Sequence, residues 1–551
     1  MSGIPQSRKL NITPLSPVHM GTGEDYTPTD YIIEDNALYE FDQRALEVLP
    51  TSERQSLNTL LAGKATPDML KNIQAFFYKN RDWLIPDAIN VAYVSDGLSN
   101  LYQARVGRAA NIESSGRQVQ NNLEIQRAAF NPVNRRLYLP GSGLKGAMRT
   151  ALLDSINQGT PLKGRENNRD LQTRLLKGSF DLDPLRLVQI GDCAWRGPEN
   201  LNSAEILFAV NRKKHPVEKA CVLLKSQAEQ KNLNQMLECA TPFRFRAFQG
   251  LLNIADMAGV KNGQNKLPKM QFSFGDIAAA CNRFYRPIFD AETQLLKKRG
   301  YLDSKWRQTV QSLLDDPRIS QQLENNEAFL LRAGRHSGAE SVTLNGVRSI
   351  KIMQGKNKTD AWESEARTIW LATGDQQDKR YLRPFGWLLV ELTKLDQEPP
   401  EWTAAKTLIG DHTELMQQWL LEVRTHQVTL GKKVKEARLQ VEQRARINAQ
   451  NEAVEAQQKA EEETRLAEMS PLERDIEDIC ERSPDNPAAL LFNKLEDGLW
   501  PEKSDQLTVA NRIKALWEED SRWNPDFSGK NKKKVQQSKR CQTVLEYLSE
   551  N

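Results

Sequence analysis

The segment Leu137–Leu153 (LYLPGSGLKGAMRTALL) demands a strand, a glycine turn and a helix in quick succession, and few folds accommodate that order. Leu137–Leu139 read as a short apolar strand, Pro140 ends its pairing, and Gly141 and Gly143 free the backbone to turn. Ser142 is the expected N-cap. Beyond it Leu144, Met148, Ala151 and Leu152 share one helical face, while Lys145 and Arg149, four apart, share another. Two cations near a helix start, where free N–H groups and the positive dipole end favour anions, make this turn a candidate phosphate site. A strand–turn–helix connection with a solvated basic face is the alternative.

Two further segments have the same character. Phe329–Gly338 (FLLRAGRHSG) reads as a strand entering a glycine-bounded loop, with Arg332, Arg335, His336 and Ser337 as donors and Gly334 and Gly338 allowing close backbone approach. The alternative is a tight turn, with Val342–Leu344 and Ile350–Ile352 continuing as a hairpin through Asn345-Gly346. Near the N-terminus, strands at Lys9–Pro14 and Tyr31–Phe41 are joined by a loop holding His19, Gly21 and Gly23. A strand is expected at Thr241–Phe248 and helices at Gln249–Gly259 and Phe274–Arg299. Arg244 and Arg246 project together, as on an RNA platform, or else Phe243, Phe245 and Gln249 form one core face, and the core reading is favoured. Arg105, Arg108 and Arg117, with Lys356 and Lys358, mark two more basic loops.

Pro140–Arg149 (PGSGLKGAMR) resembles the IPGSSLKGxxR segment of the RAMP superfamily, the RNA-binding proteins of CRISPR effector complexes. Thr13–Asp30, Gly334–Leu344 and Arg383–Trp387 are similar to further family segments, in the family's order, within roughly the first 395 residues. The N-terminal and Gly334 segments look most like the Csm-type fifth subunit of type III-A complexes. Gly143 stands where many members carry a second serine. The resemblance implies an α+β fold of one or two ferredoxin-like (RRM-like) RAMP units with glycine-rich loops. It implies a non-catalytic subunit that caps a filament and holds the 3' part of CRISPR RNA, packed against RAMP backbone and small subunits, with target RNA engaged indirectly. The RNA-binding residues implied are His19, Gly21, Gly23, Gly141, Ser142, Gly143, Lys145, Arg149, Arg332, Arg335, His336 and Ser337. One rival is a metal-independent RAMP endoribonuclease that processes precursor RNA with His19 or His336. Another is an adaptor that recruits a maturation nuclease through its C-terminal helices.

Composition narrows the class. There are 76 Lys and Arg against 72 Asp and Glu, a net charge of +4, so any nucleic-acid surface must be local. No apolar run is long enough for a membrane span and no apolar signal region opens the chain, so a cytoplasmic protein is expected. Six scattered cysteines without a C-x-x-C pair suggest neither a zinc knuckle nor a disulfide framework, and no metal or cofactor is expected. After Pro399-Pro400 the composition turns to Glu, Gln, Ala, Lys and Arg, and residues 403–468 contain no proline. That stretch reads as a long charged helix or weak coiled coil. Ser470, Pro471 and Glu473 form a helix-start signature that opens an all-α module over 470–551, with a basic run at Lys530, Lys532, Lys533, Lys534, Lys539 and Arg540. The expected division is 1–395, 403–468 and 470–551.

Overall fold

The computed structural model describes residues 6–27, 29–63, 67–107, 123–215, 218–219, 222–223, 233–256, 267–352, 359–399 and 403–549. The chain forms two compact units, Met1–Glu436 and Ala437–Asn551.

The first unit is built on two sheets. In the seven-stranded sheet, Gln6–Pro14 lies between Phe248–Ile254 and Trp387–Thr393, antiparallel to both. Ala328–Arg332 extends it on one side; Val188–Ile190, Cys193–Trp195 and Tyr138–Leu139 extend it on the other. The helices Gly141–Asn157 and Phe274–Lys298 pack against each other and onto this sheet. They bury Leu144, Met148, Ala151, Phe284, Tyr285 and Phe289 in the main core, as their apolar spacing requires. The nine-stranded sheet is mixed, with Ala204–Lys213 antiparallel to Asn234–Ala240 and parallel to Asn90–Val94.

Several expected elements differ. Phe248–Ile254 is a strand, not a helix: Phe248, Leu252 and Ile254 point inward at a period of two, and at Gly250 a Cβ would fall 2.5 Å from Cys193 Sγ. Its seven-residue register with Gln6–Ile12 outweighs any helical pattern in Gln249–Gly259. The Thr241–Phe248 strand is absent because Phe243 and Arg246 take left-handed φ of 58° and 48°, which breaks strand pairing there. Tyr31–Phe41 is a hairpin, Tyr31–Glu34 with Ala37–Glu40, turned at Asp35 and Asn36 with φ of 48° and 60°. Val342–Leu344 is not a strand, and Ile350–Ile352 pairs instead with Ala361–Glu363. Here Gly346 approaches Gly159, whose carbonyl oxygen would lie 2.0 Å from an added Cβ.

The helix Thr403–Glu468 is continuous. In the first unit its Val423 and Leu430 are buried with Ala37, Tyr39 and Ile85, and Trp419 meets Tyr93 edge-on at 5.2 Å. In the second unit, Ser470 caps Pro471–Arg482 through a capping box with Glu473. Three more helices, Pro487–Glu496, Lys503–Glu519 and Lys532–Ser549, close a separate core around Leu491, Ile513, Trp517 and Val544. No described helix is long and apolar enough to cross a membrane.

Candidate nucleic-acid interface

Three glycine-bearing segments meet at Val18–Gly21. After the Gln6–Pro14 strand the chain stays pinned: Gly386 N–H donates to the Pro17 carbonyl at 2.9 Å, and Val18 exchanges backbone bonds with Ala240. The Gly334 loop docks next, with Arg335 N–H donating to the His19 carbonyl at 2.8 Å. Gly334 has φ +89°, and a Cβ there would lie 2.4 Å from that same oxygen, so only glycine fits. The first turn of Gly141–Asn157 closes from the other side, where a Cβ on Gly143 would sit 3.4 Å from Met20 Sδ. The junction leaves Ser142, Gly143 and Arg335 exposed and Lys145 half-buried.

The anion-binding capacity of this helix start is smaller than its sequence suggests. The helix begins at Gly141, with Pro140 rather than Ser142 at the N-cap position and no side-chain cap from it. Asp192 Oδ1 already accepts the Gly141 N–H at 2.8 Å, and the Gly143 and Leu144 N–H groups bond back to the Pro140 carbonyl. Only the Ser142 N–H is without a partner among the described residues. Gly141 itself is locked, since a Cβ would fall 2.3 Å from the Ile190 carbonyl oxygen.

Of the expected cations, the side chains of Arg335 and Lys145 make no hydrogen bond or ion pair with another described residue, and burial lowers the Lys145 pKa. Arg149 is held by Asp183 at 2.6 Å and by Gln172 Oε1 at 2.7 Å. Arg332 is not a surface donor: it is 2% exposed, pairs with Glu292 at 2.8 Å, donates to the Phe385 carbonyl and lies over Trp387. Arg244 and Arg246 are likewise internal, held by Asn202 and Glu391. Arg108, Arg117, Lys356 and Lys358 lie outside the described residues.

Neither histidine is free. His19 is buried with Nδ1 2.6 Å from the Glu238 carbonyl oxygen, and burial lowers its pKa. His336, at φ 62°, stacks on Trp370 with Nε2 3.0 Å from Gln235 Oε1. Burial, with Arg335 and His19 nearby, pushes its pKa down to about 3, so it is neutral at physiological pH. Ser337 is buried. Gly21 and Gly23 belong to an edge strand, Gly21–Tyr26, rather than to a loop, because that segment pairs with Ile125–Ala128. Among the described residues no three His, Cys, Asp or Glu side chains are grouped to hold a metal ion.

Beneath the junction Glu238 accepts from Tyr26 O–H at 2.8 Å and from Ala128 N–H at 3.0 Å, and burial raises its pKa to about 7. From the reference value of 4.5 up to about pH 7, the folded chain therefore holds a proton that the unfolded chain has released, and stability falls as pH rises through that window. Glu238→Gln keeps an acceptor for Ala128 and removes the titration. Its unfolding midpoint is expected to vary less with pH than wild type, with a gain on the order of 1–3 kcal/mol above pH 7, read by urea melts across pH.

Sequence reasoning missed one neighbouring feature. A cavity of about 530 Å³ beside Arg149 is lined by Asn168, Arg169, Gln172, Asp183 and Phe180. Phe180 is 80% exposed. Its only sequence signal was an aromatic within a polar, basic segment.

Residues 11–267 match the RAMP superfamily. CRISPR system Cms protein Csm5 of Streptococcus thermophilus is 28% identical over 166 residues, 29% of this chain and 40% of that protein. Its namesake in Mycobacterium tuberculosis (strain CDC 1551 / Oshkosh) is 26% identical over 160 residues, 27% of this chain and 39% of that protein. The chain thus spans about 40% of the length of these curated relatives. Among solved structures, a chain of a Csm–crRNA–target RNA ternary complex of a type III-A CRISPR-Cas system is 15% identical with a TM-score of 0.36, over 70% of this chain and 100% of that one. T. onnurineus Csm5 is 16% identical with a TM-score of 0.36, over 70% and 99%. Residues 11–267 are thus similar to the RAMP superfamily, and the chain is similar to the Csm5 proteins.

Proposed function

We propose that this chain is a non-catalytic subunit of a type III CRISPR RNA-guided complex, holding the 3' part of CRISPR RNA and capping the filament of RAMP subunits. Sibling RAMP and small subunits would be its protein partners, with target RNA engaged indirectly through the guide. The observation that carries this is the junction at His19–Met20. There the Gly334 loop presses against the His19 backbone and the Gly143 turn against the Met20 side chain, leaving Ser142, Gly143, Lys145 and Arg335 on the open side. Such a surface grips phosphate and sugar, leaving sequence to base pairing. In this reading residues 1–395 are the RNA-holding region, each sheet a ferredoxin-like unit, and residues 403–468 and 470–551 are additions to it.

The endoribonuclease reading is disfavoured by the state of its histidines. A general acid must carry a proton near neutrality, whereas His336 is neutral and bonded to Gln235, and His19 is buried against Glu238.

Affinity purification with sequencing of bound RNA tests the reading directly; recovery without CRISPR RNA or sibling subunits overturns it. A sharper test is Lys145→Ala with Arg335→Ala. Losing two phosphate contacts is expected to flatten the slope of log Kd against log salt by about 1.4 on single-stranded RNA, at about 0.7 per contact, with little change in stability. An unaltered slope would remove these residues from the interface.

A further inference from the structure

The second unit separates its charges. Residues 471–527 carry fourteen carboxylates and seven cations, whereas residues 528–545 carry six cations and no carboxylate. A mixed, solvating surface would not be partitioned in this way.

The fold converts this run into a face. The helix Lys532–Ser549 buries Ser538, Cys541 and Val544 against the module core. At 3.6 residues per turn, Lys532, Lys533, Gln536, Lys539, Arg540 and Thr543 then share the opposite side. Lys530, Lys532, Lys533, Lys534 and Lys539 are exposed, and half-buried Arg540 lies 5.5 Å over the Phe492 ring. Among the described residues none of the six cations forms an ion pair. Asn531 Oδ1 accepts the N–H groups of Lys533 and Lys534 at the positive end of the same helix. Lys532 and Lys539, like Lys533 and Arg540, stand two turns apart, roughly 10 Å along the axis.

We propose that this face binds the sugar–phosphate backbone of a nucleic acid without reading its sequence. Four like charges on one helical face repel one another until a polyanion neutralises them, and lysines act as point charges on phosphate rather than as base-reading forks. The face carries no large apolar side chain, so it lacks what an interfacial membrane helix inserts. The proposal goes beyond the glycine-loop interface and uses none of its residues.

The test uses the full chain and two labelled probes, a short poly-U RNA and a short random-sequence duplex DNA. The variant combines Lys532→Gln, Lys533→Gln, Lys539→Gln and Arg540→Gln, with circular dichroism and thermal melting as the folding control. Expected is a weakening of at least about tenfold at low salt. The salt slope should flatten by about 2.8 on RNA or about 3.6 on duplex, for four contacts at about 0.7 or 0.9 each. The probe that responds identifies the source of the backbone. Should the fourfold variant melt early, Lys532→Gln with Lys539→Gln preserves the Arg540 stack and reads half the slope change. Unchanged affinity and slope on both probes overturns the proposal. The Lys145→Ala, Arg335→Ala variant distinguishes the two interfaces: slope loss there alone leaves the glycine-loop reading standing, and slope loss in the helix variant alone leaves this one.

Discussion

Arg332→Ala is expected to destabilise the first unit by about 3–5 kcal/mol, the cost of removing one partner from a buried ion pair. Glu292, itself 8% exposed, would keep its charge with Trp387 Nε1–H as its remaining donor at 2.9 Å. The Phe385 carbonyl would lose the Arg332 Nε–H, and the Trp387 ring would lose the guanidinium 5.0 Å from its centroid. Arg335→Ala, three residues on and exposed, is expected to shift stability by less than about 0.5 kcal/mol while weakening RNA binding. Urea unfolding of the two variants beside salt-dependent RNA binding separates the roles. If Arg332→Ala unfolds like wild type and loses RNA, the guanidinium is a ligand contact and the ion pair is incidental.

Gly334→Ala is the second large effect. Placing an L-residue at φ +89° costs on the order of 1–3 kcal/mol, before the clash with the His19 carbonyl 2.4 Å from the new Cβ. That carbonyl cannot simply retreat, because it accepts the Arg335 N–H at 2.8 Å. The loop is therefore expected to lift from the N-terminal segment, carrying Arg335 out of place and reducing RNA affinity together with stability. Gly146→Ala is the counterpart. Gly146 lies inside a helix, exposed, with nothing within 4 Å of an added Cβ, and the change is expected to stabilise by roughly 0.5–1 kcal/mol. Paired thermal melts check both signs; a neutral Gly334→Ala would mean that the junction is not tightly packed.

What could be read along the chain is what adjacent residues decide among themselves. The strand, turn and helix at Leu137–Leu153, the Ser470 capping box and the unbroken helix over 403–468 depend on steric limits and hydrogen bonds spanning a few residues, and the close backbone approach at Gly334 rests on that residue's lack of a side chain. The Asp35-Asn36 turn was equally local, and its signal lay in two residues that tolerate positive φ. The fate of a charged side chain is of another kind. Lys145, Arg149, Arg332 and Arg335 are alike as cations beside glycines, yet Asp183 claims Arg149 from 34 residues away, and Glu292 claims Arg332 across the core. Asp192 likewise takes the N–H that the helix start had seemed to offer an anion. Phe248–Ile254 became a strand because the Gln6–Ile12 backbone lay open beside it, and no window of local residues contains that partner. Burial and long-range pairing decide which groups have satisfied their charge within the fold and which stay open to solvent, so the open surface of Ser142, Gly143, Lys145 and Arg335 emerges only once the chain has closed on itself.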